Sequence, residues 1–238
     1  MARDARSTGI VVLTLLALVA AGCTDRRPAA TAPAATAPAA APSSSAPAAP
    51  SAAPSLASVI PAAALLQPGD LNGAKFTPMA AGDGAHLRPL RPCAAKYPSD
   101  ATRTAAVAVQ AHVVEAPGET PRVLMQYVGL HPGTAAQAFE EIAAAVRACP
   151  GSLDPGQLRW EVAGSADAGD ESLFVRVSER FSYGDPANVV TPVTPAVLMR
   201  VGDRVTVVAD LGWESSGGDE AWVLRLAAIA AERLRTAA

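Results

Sequence analysis

Beyond position 100 the chain repeatedly alternates apolar and polar residues with a period of two, and this restricts its fold more than any other feature. Val107, Val109, Ala111 and Val113 fall on one side of their segment, with Gln110 and His112 on the other. Leu158, Trp160 and Val162 alternate with Arg159 and Glu161. Leu173, Val175, Val177 and Phe181 alternate with Arg176, Ser178 and Arg180, and Val205, Val207, Ala209 and Leu211 with Arg204, Thr206 and Asp210. A strand sends successive side chains to opposite faces, so these runs predict half-buried strands with an apolar face on the core and a polar face in water. Antiparallel sheets accept one wet face; parallel sheets are covered on both. Gly202-Asp203, between two such runs, predicts a two-residue hairpin turn. Residues 123–130 are more uniformly apolar and are expected nearer the sheet centre.

Two helices interrupt the strands. Thr134 followed by Gln137 is a capping-box pattern, in which side chains satisfy the free N–H groups of a helix start. Phe139, Ile142, Val146 and Cys149 then share one helical face, and Pro150-Gly151 ends the helix. A last helix is expected over about 219–235, with Trp222, Leu226 and Ile229 on its buried side. The order strand, strand, helix, four strands, helix predicts an α+β fold: an antiparallel sheet of about six strands with two main helices packed on one face.

Not all 238 residues can contribute to that core. Arg3 and Arg6 precede an apolar run at 9–21, which is too short to span about 30 Å of hydrocarbon and suits a signal peptide. The run ends in Ala20-Ala21-Gly22-Cys23, which resembles the bacterial lipobox. In such signals the cysteine thiol takes a diacylglycerol and the chain is cut before it. Residues 1–22 are therefore expected to be a lipoprotein signal peptide, with Cys23 as the lipidation site on the extracytoplasmic face of a cell membrane. An ordinary signal peptide ahead of a chance cysteine is the competing reading. Residues 28–58 use only Ala, Pro, Ser and Thr apart from Leu56, so they bury nothing that offsets ordering entropy. They predict a disordered tether over 23–58, of which 28–58 alone can extend to roughly 95 Å at about 3.1 Å per residue. Its composition also suits O-glycosylation. The folded domain is expected over 59–238.

Once Cys23 is lipidated, Cys93 and Cys149 remain, an even number in an oxidising compartment, which predicts a disulfide. A catalytic thiol is the rival, but no histidine is placed to support one. Without positions 1–22, 17 basic and 21 acidic residues give a net charge of −4. That balance offers no phosphate-neutralising surface, and no nucleic-acid partner is expected.

The chemistry-bearing residues make no known motif. His86, His112 and His131 are too scattered for a metal site, and none is expected. Neither G-x-S-x-G nor S-x-x-K occurs. No catalytic residue and no cofactor is expected, and the chain reads as a non-enzyme. Asp167, Asp170 and Glu171 cluster beside glycines, either as a turn or as a calcium site without EF-hand spacing. Trp160, Trp213, Trp222, Tyr127 and Phe174 line either the core or an apolar ligand groove. The candidate ligand-binding residues are Trp160, Phe174 and Trp222.

One family resemblance covers about 64–234. Its pieces are Leu65-Leu66-Gln67-Pro68-Gly69-Asp70-Leu71, a helix ending in Ala148-Cys149-Pro150, Gly169-Asp170-Glu171-Ser172 before a strand, and Met199-Arg200-Val201-Gly202-Asp203 at a hairpin. In that order they resemble the extracellular sensor domain of mycobacterial PknH-type serine/threonine kinases, which also occurs in actinobacterial lipoproteins. The resemblance implies an antiparallel sheet with helices and a cleft for an extracellular ligand. The kinase domains carry two disulfides, whereas this chain has cysteines for one and no kinase domain. Two functions follow as expectations. One is a membrane-anchored sensor or ligand-binding domain, taking a small molecule or lipid. The other is a structural protein of a cell-envelope complex that takes no small ligand.

Overall fold

A computed structural model describes residues 59–182 and 184–237. The expected signal peptide 1–22, the expected lipidation site Cys23 and the expected tether 23–58 lie outside the described residues. The predicted α+β class is correct. A seven-stranded antiparallel sheet is built from six long strands and one short edge strand. In chain order they are β1 (Thr77–Pro78), β2 (Ala105–Val113), β3 (Arg122–Leu130), β4 (Leu158–Gly164), β5 (Glu171–Glu179), β8 (Val193–Val201) and β9 (Arg204–Asp210). Two-residue strands β6 (Phe181–Ser182) and β7 (Val189–Val190) form a separate hairpin. The spatial order is β1-β2-β3-β9-β8-β5-β4. Helix α1 (Ala135–Ala148) carries the chain from β3 to the far edge at β4, and the later strands then fill the gap between. Helix α2 (Glu220–Thr236) closes the domain. Among the described residues no helix is long and apolar enough to cross a membrane.

The helices do not share a face of the sheet. In β8, Ala196 and Leu198 pack in the cluster that holds Phe139, Ile142 and Val146 of α1. Their neighbours Val197, Met199 and Val201 pack in the cluster that holds Trp222, Leu226 and Leu234 of α2. Alternate residues of a strand point to opposite faces, so α1 and α2 cover opposite sides. The expectation of helices on one face is thereby corrected, and so is that of a wet polar face. Gln126, Thr206 and Asp210 stand on the α2 side, fully buried. Each makes a specific bond, although the buried Nε2 of Gln126 has no partner among the described residues. Gln126 Oε1 accepts from Leu66 N at 2.9 Å, Thr206 Oγ1 donates to the Tyr127 carbonyl, and Asp210 Oδ1 accepts from Gly212 N at 2.9 Å.

The predicted helix ends fare differently. Asp219 caps α2, its carboxylate accepting from Trp222 N at 2.8 Å. The capping box at Thr134 does not form, because the Thr134 hydroxyl is engaged by Thr102 Oγ1 at 2.8 Å and Gln137 Nε2 donates to Glu141. Ile229 sits at the margin of the α2 stripe, which runs instead through Trp222, Val223, Leu226, Ala227, Ala230, Ala231 and Leu234. Gly202 makes the predicted hairpin turn at φ 56°, joining Val201 to its partner Arg204. The segment at 65–71 tucks under α2, where Asp70 accepts from Arg233 Nη2 at 3.0 Å. The acidic cluster is a turn: Asp170 and Glu171 are both paired with Arg200 of β8.

Candidate functional site

The irregular segment between β1 and β2 lies on the α1 side. Leu87, Leu90 and Tyr97 enter the core cluster there and fix the segment by apolar burial. Its second fastening is covalent. Cys93, in a 3-10 turn at Pro92–Ala94, is disulfide-bonded to Cys149, the residue that ends α1, with Cα atoms 6.3 Å apart. The predicted bridge is present. Cys93 and Ala94 both take left-handed backbone, at φ 49° and 57°. That conformation costs a non-glycine residue about 1–2 kcal/mol. The bridge and the flanking buried Pro92 hold the turn against this cost.

Beside the turn an open cleft of about 560 Å³ is lined by His86, Arg91, Cys93, Ala94, Leu158 and Trp160. Trp160 projects from β4 and is itself buried, with His86 edge-on to its indole at 6.2 Å. A second cleft of about 350 Å³ shares Ala85 and Arg91 with the first and is lined by Arg88, Arg103 and Tyr127. Arg91 is held by both oxygens of Asp100 at 2.8 Å and lies over the Tyr97 ring at 5.1 Å. Burial would raise the Asp100 carboxyl, but the hydrogen bond and charge of Arg91, with Arg103, bring it below the ordinary carboxylate value.

His131 lies on the same side, buried behind Arg103, with Nδ1 unpaired. Burial and then the Arg103 charge lower its pKa, outweighing Asp100, a backbone hydrogen bond with Ser99, and Glu141. Burial lowers His86 likewise. Both imidazoles are thus neutral in the fold and accept protons more readily once it opens. A folded-state value below the usual 6.5 means stability is fully present above that pH and is lost as the pH falls through the folded values. Urea midpoints should therefore fall on acidification below about 6.5, and His131→Gln should flatten the decline. An undiminished slope in that variant removes His131 from the account.

Of the predicted ligand residues, Trp160 lines the cleft beside the disulfide turn. Phe174 and Trp222 are packed together in the α2 cluster, on the other side of the sheet. Phe174 lies between Leu173 and Val175, which face α1, so strand alternation sends it away from Trp160. The three aromatics therefore do not form one groove. Sequence reasoning missed Arg88, Arg91 and Arg103, which follow no motif and meet only through the folding of the 79–104 segment. Comparison of this chain with protein-family models, curated proteins and solved structures gives no match.

Proposed function

We propose that the chain is a lipoprotein, anchored through Cys23 at the extracytoplasmic face of a membrane, whose domain is a non-enzymatic sensor or ligand binder. The cleft at Trp160 carries this reading. Its volume of about 560 Å³ falls within the range of small-molecule sites, and its walls are indole, aliphatic and disulfide surface with an imidazole and a guanidinium at the side. The walls are also preorganised. Trp160 is packed, Arg91 is held by a carboxylate, and Cys93 is tied to α1. Preorganisation reduces the ordering cost of binding. The resemblance to the PknH-type sensor domain supports the same reading, through the pieces at 65–71, 148–150, 169–172 and 199–203.

The test is native mass spectrometry of the full chain extracted from membranes, followed by titration of the recovered ligand. A co-purified ligand is expected, and Trp160→Phe should weaken its binding roughly tenfold through lost aromatic contact. A cleft that emerges empty from every preparation overturns the reading and leaves the envelope-complex protein as the better account. The anchor has its own check. Cys23→Ser should abolish palmitate labelling and release the protein from the membrane; retention of that variant on the membrane overturns the lipid anchor.

A further inference from the structure

Three arginines crowd the second cleft of a domain whose sequence is net acidic. Arg88, Arg91 and Arg103 line it together with Tyr127. Like charges at such density need a counter-charge. Asp100 supplies one, accepting from Arg91 Nη2 at 2.8 Å and from Arg103 Nη1 at 3.0 Å. Glu141, on α1, is engaged elsewhere: it accepts from Ser99 N at 3.0 Å and from Gln137 Nε2 at 2.7 Å. Arg88 has no carboxylate partner among the described residues; its Nη2 donates to the Ala80 carbonyl at 3.1 Å. Two of the three guanidinium groups thus share one carboxylate and Arg88 has none; Arg91 also donates through Nη1 to the Ala95 carbonyl at 2.9 Å, and each group keeps other N–H donors free.

Tyr127 completes the arrangement. Its hydroxyl accepts from Arg103 Nη1 at 3.2 Å. Burial, the largest influence, raises its pKa, so the phenol keeps its proton. No hydrogen bond donated by that hydroxyl is seen among the described residues. Gly129 makes the meeting of phenol and guanidinium spatially possible, since a Cβ there would lie 2.7 Å from the Tyr127 hydroxyl and 3.3 Å from Arg103 Cδ. The two clefts meet at Ala85 and Arg91, one mainly apolar and the other cationic.

We infer that the ligand is an anionic amphiphile whose carboxylate or phosphate group sits on Arg88, Arg91, Arg103 and Tyr127 while its apolar body lies against Trp160. The inference rests on the ligand-binding reading above and adds the class of ligand. Planar guanidinium forks match carboxylate and phosphate oxygens bidentately, whereas a neutral ligand would leave the cationic cleft uncompensated. An acidic lipid and a soluble aryl acid share this chemistry.

The experiment is calorimetric titration of the full chain with dodecyl phosphate, phenyl phosphate, dodecanol and inorganic phosphate. At least one organic phosphate should bind about tenfold or more tighter than both dodecanol and inorganic phosphate. Dodecyl phosphate binding the tighter of the two identifies a lipid-like ligand; phenyl phosphate binding as well or better identifies a soluble aryl acid. Arg88→Ala should erase the preference for the phosphate without changing dodecanol affinity, and Tyr127→Phe should reduce it. Equal binding of dodecanol and dodecyl phosphate, or an unchanged preference in Arg88→Ala, overturns the inference. So does inorganic phosphate binding as tightly as the organic phosphates, which would make the cleft a free-anion site. In these cases dodecanol binding that weakens in Trp160→Phe still supports the parent reading. If none of the four binds, the inference falls, and the parent reading is decided by the co-purified ligand.

Discussion

Replacing Cys93 and Cys149 together with alanine should lower the unfolding free energy by about 4 kcal/mol, on the chain-entropy account of a closed loop. The loop spans 56 residues, and the reduced, unfolded chain regains the freedom of all of them. With a urea dependence of about 2 kcal/mol per molar, the midpoint should fall by roughly 2 M. Cys93 is exposed and Cys149 half-buried, so reductant added to the wild-type protein should produce the same shift. Wild type and variant must then unfold alike under reducing conditions. A shift below about 1 kcal/mol would mean that burial of Leu87, Leu90 and Tyr97 holds the segment without the bridge. The loss also reaches the site. Cys93 and Ala94 form a wall of the apolar cleft in backbone that is costly without the bridge, so the wall should loosen before the sheet does.

The strands were legible because period-two alternation is a local property. What covers the second face is not local. Yet the run 193–201 carries Ala196-Val197-Leu198-Met199 without a polar break, a pattern expected where both faces are buried. The apolar stripe of α2, from Trp222 through Leu234, needs one of those faces to cover it. Read together, these two signals place the helices on opposite faces. Gln126, Thr206 and Asp210 obscured this, because a polar residue at a strand position looks wet until its buried partner is known. The disulfide was legible from cysteine parity alone. The cationic cleft was not: Arg88, Arg91 and Arg103 lie in irregular backbone without periodicity, and their convergence depends on Asp100 and on the apolar anchors Leu87 and Leu90.

Asp210 is the polar residue on which the α2 side depends most, and Asp210→Ala should cost about 3 kcal/mol. The side chain is fully buried at the end of β9. Its Oδ1 accepts from Gly212 N at 2.9 Å, and its Oδ2 from Asp219 N at 2.8 Å and Arg122 Nη1 at 3.3 Å. One carboxylate thereby fixes the turn after β9, the cap of α2 and the arginine that lies over the Trp222 ring at 5.8 Å. Alanine leaves two backbone donors without partners in a region that Gly212 and Gly218 pack tightly. A Cβ at Gly218 would stand 2.4 Å from the Asp210 carbonyl, so the backbone approaches too closely there for any residue but glycine. Asp210→Asn keeps the shape but turns an N–H toward one of those donors, and should cost about 2 kcal/mol. Asp219→Ala removes the cap and one partly exposed contact with Arg122 at 3.5 Å, and should cost about 1 kcal/mol. Arg122 keeps Glu115 and Asp219 as partners in either Asp210 variant, so Arg122→Ala combined with Asp210→Ala should cost less than the sum of the separate losses. Strict additivity in that cycle would show that the carboxylate acts on the backbone alone. Because α2 and α1 lie on opposite faces, binding at the Trp160 cleft by the folded fraction of either Asp210 variant should match wild type, separating the core that α2 completes from the face that carries the clefts.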